Sequence, residues 1–393
     1  MTFRKLLGAG LAAGSLLAFA AGAANADQGI SDDEIVVGSH QPLSGPVAIW
    51  GVSVANGLRM RADEANEAGG VNGRKINLIV EDTAYQQSKA AQATDKLLKR
   101  DKVFALIGAL GTPMNMVSMP QALDRGVPNL FPLTAAKEMY EPFHPLKFSL
   151  FTPYYDQMRA AVKWFVEDKG KKRIGVLSQD DDFGKNVLDG CKDQAEEMGL
   201  KLVAETTFKR GAKDFSSQIA LLKEADADLV CLGTIISETI GAKVAALKSG
   251  WNVDMLVSSA GFTPQTAELA KGATDGLYGT SQTPIPYYDT ASPETKAWMD
   301  SYKARFGKDA DLQAIAGYSG MDVFVEAATK AGRDLTAEKL AKEIEKIERG
   351  VDMFGSSPIK FGADDHLGPE ARSSATMYQI KDSRWVAVGP VAY

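Results

Sequence analysis

Apolar positions along the chain follow two spacings in turn, and their order predicts the fold. A β-branched run (Ile35, Val36, Val37) leads into a turn-rich loop over residues 41–50, then an amphipathic run over 51–68. A Gly-Gly-Val-Asn-Gly turn precedes a second apolar run at 76–80. Strand, crossover helix and strand predict a parallel α/β sheet. The cycle repeats with a helix over 87–100, whose Ala90, Ala93, Leu97 and Leu98 share a face. A strand at 103–107, a helix at 114–125 and a strand at 128–131 follow. Each strand runs into a Gly, Pro, Ser or Thr loop, as a doubly wound sheet requires.

At 148–156 the pattern breaks into an extended aromatic stretch, Phe-Ser-Leu-Phe-Thr-Pro-Tyr-Tyr-Asp, which reads as a crossing between two lobes. A second series then begins, with helices predicted at 157–169, 184–198, 214–224, 237–249 and 264–270. Its strands are predicted at 173–177, 202–206, 229–232, 255–258 and 277–280. A second crossing is expected near 276–283, followed by helices at 292–306, 312–331 and 336–347 that pack back on the first lobe. A third crossing fits 354–361, and a terminal hairpin fits 375–388. The expected architecture is two doubly wound parallel-sheet lobes joined by a three-strand hinge. Residues 27–150 and 281–355 form the first lobe, and residues 151–280 and 356–393 form the second.

Composition refines this picture at few points. Arg4 and Lys5 precede a small-residue apolar stretch that ends in Ala24-Asn25-Ala26, the A-x-A form of a cleavage site. Residues 1–26 therefore read as a signal peptide, and the protein as exported to the periplasm. Losing Arg4 and Lys5 with the leader takes the net charge from −6 to −8. That acidity argues against nucleic acid or an anionic membrane surface as partner, and no later run is apolar enough for membrane insertion. Cys191, in a predicted helix, and Cys231, in a predicted strand, either pair or serve as small buried residues, and the second is the simpler reading. His40, His144 and His366 are the only histidines, and none has metal-ligand or triad spacing. No nucleophile elbow or phosphate-binding loop occurs in the exported part. No metal, cofactor or catalytic set is expected.

Trp50 stands at the carboxyl-side loop of the first strand, where α/β sheets bind ligands. It either faces a ligand or caps the following helix, and its position favours the first. Gly111-Thr112-Pro113 opens a helix, so Thr112 offers a hydroxyl beside free backbone N–H groups, a ready carboxylate site. An ordinary capping role explains Thr112 equally well. Asp180, Asp181 and Asp182 lack the spacing of a calcium loop and read as an acidic turn capping a helix.

The motif PLSGPVAIWG at 42–51, followed by a helix, NEAGGVNGRKI at 66–76 and a strand ending in Glu81-Asp82, resembles the start of the periplasmic leucine/isoleucine/valine-binding protein family. These are solute receptors of branched-chain amino acid type ABC importers, and the resemblance extends over nearly the whole exported chain. It implies that Trp50 lies against the ligand's apolar part, and that Gly111 and Thr112 receive its carboxylate. It implies further that Leu133, Thr134 and Ala135 hold the ligand head, and that Phe183 closes over it from the second lobe. Ala135 stands where the family type has Thr, and Phe183 where it has Tyr. The second-lobe run Ser258-Ser259-Ala260-Gly261-Phe262 has no acid where amino-acid receptors pair the ligand ammonium, so Ser259 and Phe262 are expected at the ligand instead. Ile235 replaces an aromatic hydroxyl.

A buried ammonium without a partner is costly. An apolar carboxylic acid, aromatic or not, is therefore favoured slightly over an aliphatic amino acid as the small-molecule ligand. The expected role is transport, as a monomer, with an inner-membrane ABC permease as partner. A sensory protein on the same fold would carry the same pocket, and a hydrolase would need a nucleophile and base that the sequence does not show.

Overall fold

A computed structural model describes residues 28–45 and 47–393. The expected signal peptide at 1–26 lies outside the described residues. The first sheet is built from β1 (Glu34–Gln41), β2 (Lys75–Asp82), β3 (Ala105–Ile107), β4 (Asn129–Leu130) and β5 (Lys147–Phe148). It is parallel throughout in the order β2-β1-β3-β4-β5. The intervening helices are α1 (Ala48–Glu67), α2 (Gln87–Lys99) and α3 (Thr112–Leu123). Because β1 is flanked by β2 and β3, the strand order reverses there, and the loops after β1 and β3 diverge around a crevice.

After β5 the chain crosses to α4 (Tyr154–Lys169) and starts the second series. Its strands are β6 (Ile174–Gln179), β7 (Ala204–Phe208), β8 (Leu229–Gly233), β9 (Asp254–Val257) and β10 (Tyr278–Ser281). They alternate with α5 (Asp182–Glu197), α6 (Ser216–Glu224), α7 (Ile236–Lys248) and α8 (Pro264–Glu268). The chain then forms α9 (Pro293–Phe306), α10 (Leu312–Ala331), α11 (Ala337–Ile344) and the short antiparallel pair β11 (Glu348–Arg349) and β12 (Ile359–Lys360). A terminal hairpin, β13 (Ala375–Lys381) and β14 (Arg384–Val391), completes the second sheet in the order β14-β13-β10-β9-β8-β6-β7. β13 runs antiparallel to β10, and the other core strands run parallel. Here the reversal falls between β6 and β8.

α10 lies along α1, and two glycines set the distance. A Cβ at Gly57 would stand 2.0 Å from the Ala314 carbonyl oxygen, and one at Gly317 would stand 2.4 Å from that of Val54. Only hydrogen at both positions allows the backbones to approach so closely.

The connecting segments are tied to one another. Gln282 Oε1 accepts from the backbone N–H of Thr152 and from its hydroxyl, while Gln282 Nε2 donates to the Leu150 carbonyl at 2.8 Å. Ser357 N–H donates to Gln282 O, and Ser374 Oγ lies 2.6 Å from Thr152 Oγ1. The last crossing comes later than the sequence pattern suggests. Phe361 packs on Phe131 and Phe148, and His366 stacks on Phe148 at 3.7 Å, so the chain stays on the first sheet past the expected 354–361. Cys191 and Cys231 are buried free thiols in hydrogen-bonding contact.

Candidate ligand-binding cleft

Both strand-order reversals face one cleft of about 380 Å³ between the sheets. On the first-sheet side, Leu110 and Leu133 bridge in parallel just beyond β3 and β4. Gly111 N–H donates to the Leu133 carbonyl at 3.2 Å. The two loops therefore advance into the cleft together. Gly111 has φ +101°, and a Cβ there would meet the Met114 side chain at 2.2 Å and the Tyr85 ring at 2.9 Å. The sharp turn opens α3 at Gly111 and Thr112, both of which line the cleft, and the first N–H groups of a helix have no intrahelical acceptor.

Thr112 and Thr134 are nearly fully buried, and their hydroxyl oxygens lie 2.6 Å apart. The Tyr154 hydroxyl faces the Thr134 side chain and the Ala135 backbone; burial holds its phenol above the ordinary value, with those hydrogen bonds opposing. The Tyr85 phenol is likewise pushed up by burial, against the pull of Arg210. Both phenols stay neutral donors at physiological pH. Trp50, also buried, lines the same wall.

The second-sheet wall carries Phe183, Ile235 and Ser259. Asp181 caps α5 by accepting from the N–H groups of Phe183 and Gly184, which fixes the Phe183 ring edge-on to Tyr154 at 5.1 Å. Gln157 grips Ser259 at both ends of its amide. Oε1 accepts from the Ser259 N–H at 2.7 Å, and Nε2 donates to Ser259 Oγ at 3.0 Å. The Ser259 hydroxyl, already accepting, keeps its proton available to donate.

Nine of the ten residues singled out from the sequence thus line one cleft: Trp50, Gly111, Thr112, Leu133, Thr134, Ala135, Phe183, Ile235 and Ser259. Phe262 does not. It is fully buried in the core of the second sheet, packed at 4.5 Å on Tyr378 and 4.7 Å on Trp385. The turn after β9 points Ser259 into the cleft and carries Phe262 back beneath the sheet. The sequence reading missed Tyr85, Tyr154, Gln157 and Gln282, which also line the cleft. Tyr154 and Gln157 occupy the first turn of α4, and the run Tyr154-Tyr155-Asp156-Gln157 directly after Pro153 was the available signal.

Two contacts bridge the halves beside the cleft. Arg210, on the loop after β7, donates to Asp181 Oδ2 at 2.7 Å and to the Tyr85 carbonyl at 3.3 Å. Its guanidinium also lies 4.9 Å from the Tyr85 ring centroid. Asn186 on α5 donates to Glu138 Oε2 at 3.0 Å and accepts from the Lys137 N–H at 3.0 Å.

The acids lining the cleft are Glu294 in the first turn of α9, Asp322 on α10 and Asp352 in the segment before β12. Asp322 is paired with Arg61 and Arg349, and Asp352 accepts from the N–H groups of Phe354 and Ser356. Glu238, buried in the first turn of α7, accepts from Ser237 Oγ; it does not line the cleft itself, but its charge helps to raise the pKa of the Tyr85 phenol, which does. The arrangement offers hydroxyl and N–H donors to an anion, flanked by aromatic surface. Among the described residues no cluster of His, Cys, Asp and Glu could hold a metal ion, and no helix is long and apolar enough to cross a membrane.

Residues 34–384 match the sequence profile of a family described as periplasmic binding protein. The chain is 26% identical over 321 residues to the leucine-, isoleucine-, valine-, threonine- and alanine-binding protein of Pseudomonas aeruginosa, covering 81% of this chain and 84% of that protein. In structure it is similar to a fatty acid ABC transporter substrate-binding protein from Thermomonospora curvata, with a TM-score of 0.81 at 23% identity, covering 92% of this chain and 93% of that one. It is also similar to a solute-binding protein of an ABC transporter from R. palustris in complex with benzoate, with a TM-score of 0.79 at 18% identity, covering 91% and 96%.

Proposed function

Because the chain belongs to the periplasmic binding protein family, we propose that it is the periplasmic solute receptor of an ABC importer, taking a ligand with a carboxylate head and an apolar, aromatic-compatible body. The proteins it resembles are binding proteins rather than enzymes. The carrying observation is the pair of hydroxyls of Thr112 and Thr134 where α3 opens on the cleft. A ligand carboxylate would take hydrogen bonds from the one hydroxyl proton that the pair leaves free, from the α3 N–H groups and from Ser259, each charge-assisted. Its apolar body would lie between Trp50 and Phe183. An ammonium at the same place would lose its hydration without an acid to replace it.

Binding would draw the halves together about the connecting segments, because the ligand contacts both walls and so favours the state in which they meet. The ties among Gln282, Thr152 and Ser374 support a hinge at those segments. The closed surface would then select an inner-membrane permease. The protein would work as a monomer, exported by a cleaved leader.

The specificity carried in the name of the Pseudomonas aeruginosa relative favours a second reading, an aliphatic amino acid receptor. A thermal-shift panel on ligand-stripped protein separates the two. A ligand at ~100 times its Kd adds about 2.7 kcal/mol to folding stability. Benzoate and aliphatic monocarboxylates are expected to raise the melting temperature while leucine and valine leave it unchanged. A shift with leucine or valine alone would overturn the acid reading.

A further inference from the structure

The cleft does not end at Trp50 and Phe183. It continues past the connecting segments, at Leu150 and Thr283, into a groove between α10 and the stretch before β12. One stripe of α10 forms its floor: Leu312, Ala316, Ser319 and Val323 recur at helical spacing and so share a face. Met353 and Phe354 line it too, alongside the acids Glu294, Asp322 and Asp352, of which Asp322 is held by Arg61 and Arg349 and Asp352 by backbone N–H groups. At 1.5 Å per residue the stripe runs about 16 Å from the first of these residues to the last. The small side chains at 316 and 319 leave the middle of the groove open.

Charge gives the groove a direction. Arg349 is the one cation among the lining residues, and it lies at the far end. Its guanidinium donates to Asp322 Oδ2 at 2.8 Å and from Nε to Glu326 Oε2 at 2.9 Å, with a further Nη2 contact to Glu326. Two carboxylates already satisfy it, so a ligand carboxylate gains nothing there. The donors not already given to a carboxylate lie at the opposite end, at the Thr112–Thr134 pair and the opening of α3. A molecule filling the whole cavity places its acid at the threonines and its apolar remainder along α10.

We propose that this groove is a tail subsite, and that the substrate class is medium-chain monocarboxylates, longer than a branched-chain amino acid. The inference rests on the carboxylate reading of Thr112 and Thr134. Cavities of roughly 300–1,000 Å³ hold ligands larger than such an amino acid, and the volume of about 380 Å³ falls in that range.

Calorimetric titration of the ligand-stripped full chain with butanoate, hexanoate, octanoate and decanoate tests it. Each buried methylene is worth about fourfold in affinity, so each two-carbon step through octanoate is expected to tighten binding roughly sixteenfold. Ser319→Phe, which fills the groove, is expected to bring octanoate down toward the affinity of butanoate. An affinity that is flat or falling beyond butanoate in the unmodified protein overturns the tail subsite and leaves the carboxylate reading standing. A rising series that Ser319→Phe does not flatten places the tail elsewhere and also overturns it. Failure of the whole series while benzoate binds overturns the tail subsite alone, and failure of the series and of benzoate overturns both readings.

Discussion

At the scale of single residues, the cleft is read most directly through Thr112 and Thr134. Each hydroxyl has the other as partner at 2.6 Å, so neither is left orphaned before a ligand arrives. A hydrogen bond to a charged group contributes about 1.5–3 kcal/mol. Thr112→Val is therefore expected to weaken acid binding by roughly ten- to a hundredfold in calorimetry; an unchanged Kd would place the head elsewhere. His40 gives a pH prediction. It is fully buried at the end of β1, with Nε2 2.9 Å from Ser118 Oγ, and burial lowers its pKa to about 4. The unfolded chain, near 6.5, binds more protons between those values, so stability falls as pH drops through about 6.5 to 4 and is fully present above it. The loss is of order 3 kcal/mol. Urea unfolding at pH 7 and pH 4.5 is expected to show a smaller acid loss in His40→Gln than in the unmodified chain, and equal losses would refute the assignment.

Residue-level legibility followed chain locality. Trp50, Thr112 and Phe183 were visible because each sits at a strand-to-helix loop whose direction the fold dictates. Phe262 shared that signature but lies three residues past Ser259, where the chain turns back under the sheet. Gln157 and Gln282 were not visible as site residues, because their importance comes from partners at distant positions, Ser259 and Thr152.

At the scale of elements, hydrophobic spacing gave types and order well and edges less well. α10 has the bounds expected for it, since Asp311 accepts from the Ala314 N–H at one end and Gly332 follows at the other. α4 begins earlier than expected, at Tyr154, because Pro153 supplies an extended N-cap that the aromatic run concealed. α3 starts at Thr112 and not 114, since Pro113 fits the first helical turn. The closeness of α1 and α10 could not be read from either helix alone. Gly317→Ala is expected to lower the unfolding free energy by about 1–3 kcal/mol, the usual cost of overpacking, seen as a reduced urea midpoint. No change would mean the two helices have slack.

At the scale of the whole molecule, two sheets, their strand-order reversals and the three connections between them place donors and aromatic walls on opposite sides of one space. Arg210 spans that space without lining it, holding Asp181 on its own side and Tyr85 on the other. Arg210→Ala is expected to weaken acid binding by at least about tenfold, since one charge-assisted hydrogen bond is worth about 1.5–3 kcal/mol and the cation–π contact across the cleft mouth adds to it. Calorimetry at matched ionic strength reads this, and undiminished affinity would show that closure does not depend on the contact. The central claim is that occupancy of the cleft draws the halves together. Small-angle X-ray scattering of ligand-stripped protein, titrated with the acid that most raises its melting temperature, measures this directly. The account predicts a radius of gyration that contracts to saturation along the binding curve and recovers on dialysis. A radius that stays constant while the ligand binds would contradict it.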